Sequence, residues 1–105
     1  MKLFTALATA AITLTGFAAN AQASTCTFNG NTETCTVTRF DQGDTSSVIW
    51  SDGKIVNYTR FGCVDNTCGV QIVEDNGRVT FGTGSFGRRG FAVRSNRGNL
   101  TSVNY

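Results

Sequence analysis

A chain of 105 residues with four cysteines, no proline and a formal charge of +2 has room for one domain with a modest core. It contains no histidine, which removes the usual general base, the Ser–His and Cys–His pairs and the commonest metal ligand.

At the start of the chain, Lys2 precedes an apolar or small stretch from Leu3 to Ala19. Ala21-Gln22-Ala23 then supplies the small-x-small pattern that signal peptidase accepts. Residues 1–23 are therefore expected to be a cleaved secretory signal, with a single secreted or periplasmic domain over 24–105. The stretch is diluted with Thr and Ala and barely reaches the ~20 residues of a membrane span. Cys26 lies beyond the cleavage pattern and follows Thr25, so it is not a lipoprotein cysteine. No later segment is long and apolar enough to cross a bilayer, and no membrane span is expected.

From Ser24 onward, β-branched and aromatic residues alternate with polar ones between Gly-containing turns, the pattern of strands and hairpins. Strands are expected at 24–29, 33–40, 46–51, 54–60, 69–74, 78–82, 90–95 and 99–105. Turns fall at Asn29-Gly30, Ser51-Asp52-Gly53, Asp75-Asn76-Gly77 and Asn96-Arg97-Gly98. The last three place Gly third, as in three-residue hairpin loops whose final residue is left-handed. Counting outward from these turns sets Val48 against Val56, Val73 against Val79 and Phe91 against Val103, so each hairpin has one face to bury. Trp50 and Tyr58 then read as core residues rather than a sugar-stacking platform. The expected fold is all-β: a small antiparallel meander of about eight strands closed into a barrel or folded into a sandwich.

Small exported domains of this size are commonly stapled. Cys26, Cys35, Cys63 and Cys68 admit three pairings. Cys26–Cys35 and Cys63–Cys68 are expected because each pair brackets a turn-rich segment. The spacings lack the Cys-x2-Cys knuckle of a zinc site. Asp41, Asp44, Asp65 and Asn66 lack the dense acidic spacing of a calcium loop. No metal or cofactor is expected. The carboxylates at Asp52 and Asp75 are explained by hairpin turns, and those at Asp41, Asp44 and Asp65 by loops in which they satisfy local backbone. The inventory is that of a non-enzyme.

Charge is unevenly placed. All seven acidic residues lie before Gly77, alongside Arg39, Lys54 and Arg60, while the remainder carries Arg78, Arg88, Arg89, Arg94 and Arg97 and no acid. Either this basic part pairs with the acidic part inside the domain, or it remains free for an anionic partner. Arginine supplies forked donors suited to phosphate and carboxylate. The segment from Thr83 to Gly90 reads as a flexible basic loop. Arg88, Arg89, Arg94, Arg97 and Phe86 are therefore the candidate binding residues, with an anionic envelope polymer rather than nucleic acid as the expected partner.

The order of Cys26, the Trp50-Ser51-Asp52-Gly53-Lys54 turn and the late Gly87-Arg88-Arg89 loop resembles the periplasmic and membrane-bound inhibitors of c-type lysozyme. The resemblance implies an exported eight-stranded antiparallel barrel, with a secreted cell-wall hydrolase as the alternative partner. With Gly87 matched to that family's motif glycine, Phe86 stands at its inhibitory serine, Gly90 at its tyrosine and Arg97-Gly98 at its Lys-Gly.

Overall fold

The computed structural model describes residues 21–105; most of the expected signal segment lies outside the described residues. The strands are β1 (Ala21–Phe28), β2 (Asn31–Phe40), β3 (Thr45–Trp50), β4 (Ile55–Val64), β5 (Thr67–Glu74), β6 (Val79–Gly87), β7 (Gly90–Ser95) and β8 (Leu100–Asn104). Each pairs antiparallel with the next, and β1 pairs with β8 through Thr25–Asn104 to Phe28–Thr101, so the sheet closes into a barrel. Between the two architectures the sequence allowed, this long-range pairing selects the barrel.

The turn chemistry fixes the register. Gly53, Gly77 and Gly98 have φ of +91°, +90° and +90°. Each donates its N–H at 2.9 Å to the carbonyl three residues earlier, on Trp50, Glu74 and Ser95. These are the expected left-handed third positions, where a Cβ would be strained. The pairs Val48–Val56, Val73–Val79 and Phe91–Val103 follow.

Alternation then fills the interior. Val37, Val48, Val70, Val93 and Val103 are each at most 1% exposed and form the middle of the barrel, each stabilising the fold by about 1.5–3 kcal/mol. The register of the third hairpin is as expected, but its buried face is not: the sequence paired Val73 with Val79 as the apolar face, and the structure turns that face outward. Val73 and Val79 face outward, Val79 being 49% exposed, while Val70 and Ile72 fill the interior and Glu74 follows them toward the barrel mouth.

The disulfides are those expected. Cys26–Cys35 crosses from β1 to β2 within the core, and Cys63–Cys68 clamps the β4–β5 turn. Ala21 to Ala23 extend β1 against Thr38 to Thr36.

A second expectation also requires correction. Thr83 to Gly87 is not a flexible loop; it is the second half of β6, paired with β5 and β7. The small residues that suggested a loop make room inside the barrel. A Cβ on Gly84 would sit 2.9 Å from both the Phe86 ring and the Val70 methyl.

Candidate functional site

An up-and-down barrel sends alternate turns to opposite ends, and this divides the candidate residues. The β6–β7 turn, with Arg88 and Arg89, lies at one end together with the β2–β3 and β4–β5 turns. Arg97, in the β7–β8 turn, lies at the other. Arg94 stands on the outer wall of β7 between them. Phe86 is a core residue rather than an exposed aromatic: it is 8% exposed and stacks on Phe91 with centroids 5.1 Å apart.

At the first end two arginines lie over aromatic rings. The Arg39 guanidinium lies 4.3 Å from the Tyr105 ring centroid, and Arg60 lies 5.4 Å from that of Phe86 while pairing with Asp44 at 3.1 Å. Both arginines belong to the acidic part of the sequence. By contrast, Arg78, Arg88, Arg89, Arg94 and Arg97 are all exposed, and none forms an ion pair among the described residues. The basic part does not neutralise the acidic part.

Beside Arg88 and Arg89 the outer face of β6–β8 forms a shallow trough. Its floor consists of two cross-strand rows, Ser85–Ala92–Ser102 and Gly87–Gly90–Asn104; Arg88 and Arg89 border it at the turn. The next row, Thr83–Arg94–Leu100, sets Arg94 at its far edge. From Arg89 to Arg94 the strand covers about 17 Å at ~3.3 Å per residue. Small side chains thus leave backbone accessible between cations at either end.

The opposite end is an open bowl of about 330 Å³. Its floor includes Trp50, Tyr58, Val56, Ile72 and Val93, and its rim carries Glu33, Asp52, Lys54, Glu74, Arg78 and Arg97. All four turns read from the sequence meet here, each tied to its neighbour. Asn29 Nδ2 donates to Asn99 Oδ1 at 3.1 Å, Glu33 accepts the Ser51 hydroxyl and N–H, Asp75 accepts the Ile55 N–H at 3.0 Å, and the Asn96 N–H donates to the Phe81 carbonyl at 2.8 Å.

The rim carboxylates have donors of their own. Glu74 pairs with Lys54 at 2.8 Å, Glu33 is held by Ser51, and Asp52 accepts the Lys54 N–H at 2.9 Å. Burial pushes the Tyr58 hydroxyl up to about 12, opposed by a hydrogen bond with Thr101 and reinforced by the Glu74 charge. The bowl floor therefore presents a neutral phenol at physiological pH.

Sequence reasoning placed Trp50 and Tyr58 in the core, and they are 8% and 3% exposed. It missed that Lys54, Arg78 and Arg97 share one rim. The signal was present: these residues sit in alternate hairpin turns, which any meander of this kind gathers at one end.

Among the described residues no helix is long and apolar enough to cross a membrane, and no group of three or more His, Cys, Asp or Glu could hold a metal ion. Comparison with protein-family models, curated proteins and solved structures finds no match.

Proposed function

We propose that the protein is an exported, non-catalytic binding domain that holds an anionic polymer of the cell envelope against the outer face of β6–β8. The observation that carries this reading is the trough bordered by Arg88 and Arg89, with Arg94 on the next cross-strand row of the same face; all three arginines are exposed and have no carboxylate partner among the described residues. Export is supported by the N-terminal Leu3–Ala19 stretch with its Ala-x-Ala site and by two disulfides, which persist in oxidising compartments. Arg97, on the far rim, is not part of this surface, and Phe86 is buried beneath it.

The alternative reading, an inhibitor of a cell-wall hydrolase of the lysozyme-inhibitor type, is supported by the eight-stranded barrel alone. Architecture does not specify function, so the polymer reading is preferred.

Immobilised dextran sulfate, with neutral dextran as control, tests the proposal. The protein binds the sulfated polymer in low salt and is released as salt rises, and Arg88→Ala/Arg89→Ala binds at least tenfold more weakly. Equal binding by variant and parent at low salt overturns it. Loss of hydrolase activity at stoichiometric protein, without polymer binding, would favour the inhibitor reading.

A further inference from the structure

The bowl at the opposite end has a different chemistry from the trough. Its six ionisable rim residues balance in sign, but they are not equally committed. Lys54 is held by Glu74, and all three carboxylates have donors. The Arg78 and Arg97 side chains have no hydrogen-bond or ion-pair partner among the described residues, although their backbone N–H groups are anchored to Asn76 Oδ1 and Ser95 Oγ at 2.9 and 3.3 Å. The turns are fixed and the guanidinium groups are free. Beneath them lie Trp50, Ile72 and Val93, with Phe28 set edge-on to Trp50 at 6.3 Å.

We propose that this bowl binds a small organic anion with a compact apolar body, its acidic group held by Arg78 and Arg97 and its body resting on the Trp50 floor. An apolar floor with a few convergent polar groups is the usual construction of a small-molecule site. The volume of about 330 Å³ lies near the lower bound of such pockets, ~300–1,000 Å³, so the body is a short acyl chain or a single ring. A longer chain is stopped by the valine layer and by the Phe86–Phe91 stack below it. The site is independent of the polymer trough and shares no arginine with it.

Trp50 is the sole tryptophan, so its emission reports on the bowl directly. Titration of the exported protein with octanoate or 3-phenylpropionate shifts that emission saturably, and the stronger of the two tells chain from ring. Octanol, which lacks the charge, and acetate, which lacks the body, bind at least tenfold more weakly. Arg78→Gln/Arg97→Gln weakens binding of the anion at least tenfold with an unchanged circular-dichroism spectrum, whereas Arg88→Gln/Arg89→Gln leaves it unaltered. No saturable response to either acid, equal affinity for octanol and octanoate, or parental affinity in Arg78→Gln/Arg97→Gln overturns the proposal. Dextran sulfate binding by the Arg78→Gln/Arg97→Gln variant stays at the parental level, which separates failure of this site from failure of the trough.

Discussion

The side-chain carbonyl of Asn29 accepts the Leu100 N–H at 2.9 Å across 71 positions of sequence, and the Asn29 N–H returns a bond of 2.9 Å to the Leu100 carbonyl. This reciprocal pair bolts the first hairpin turn to the last, where β1 and β8 share only four paired positions. A closed barrel has no exposed sheet edge, so the pair guards the one junction that the chain connectivity does not enforce.

Asn29 has φ +48°, and that backbone conformation allows the two roles of its side chain to be separated. Asn29→Gly keeps the conformation and loses the side-chain bonds, costing about 1 kcal/mol. Asn29→Ala also strains the backbone and costs a further 1–2 kcal/mol or so. Urea unfolding measures both. Amide exchange should quicken first at Thr27 and Leu100, and an Asn29→Ala variant as stable as Asn29→Gly would show the conformation to be unimportant.

The two disulfides should contribute unequally. Cys26 and Cys35 are 0% and 6% exposed within the core, whereas in the second pair Cys68 is buried at 2% and Cys63 is exposed at a turn. Each loop closure contributes roughly 2–3 kcal/mol by chain entropy. Replacing the first pair by Ser buries two unpartnered hydroxyls and replacing the second buries one, so loss of the first should exceed that of the second by the cost of one hydroxyl, about 1–3 kcal/mol. Thermal melts of the two double-Ser variants give the comparison, and equal melting temperatures would contradict it.

The hairpin registers were readable from the sequence because a three-residue turn with Gly third leaves one way to count outward, hence Val48–Val56 and Phe91–Val103. Barrel closure was not readable, since it depends on β1 meeting β8, which no local pattern encodes. The second half of β6 was hidden because Gly82 and Gly84 occupy interior positions where a strand normally shows apolar side chains. Phe86 then looked like an exposed aromatic among arginines, when its ring needs the space over Gly84. Arg97 was grouped with Arg88 by sequence proximity. The single strand β7 separates them to opposite ends.

Tyr58 gives a pH signature. Its folded pKa, about 12, lies above the ordinary value of 10.0, so the native state holds the phenol proton more tightly than the unfolded chain. The associated stability is fully present below pH 10 and is lost as pH rises toward 12, amounting to roughly 2–3 kcal/mol. Tyr58→Phe removes the titrating group and so flattens the decline between pH 10 and 12. Urea midpoints across that window measure the difference in slope; parallel curves for parent and variant would contradict the assignment.

Ala92 tests the trough without touching its arginines. It is exposed at the centre of the Ser85–Ala92–Ser102 row, on the same outer face as Arg94, so Ala92→Glu places a carboxylate where a polyanion would lie. Repulsion between the new charge and the polymer, together with partial neutralisation of Arg94, should lower dextran sulfate binding at least as far as Arg88→Ala/Arg89→Ala does. An exposed strand position tolerates such a change within about 0.5–1 kcal/mol, so the melting temperature should barely move. Ala92→Gln, of similar size and no charge, should restore most of the binding if electrostatics governs the surface. Equal loss in both variants would mean that the trough recognises shape, and equal binding by Ala92→Glu and the parent would remove the β6–β8 face as the polymer site.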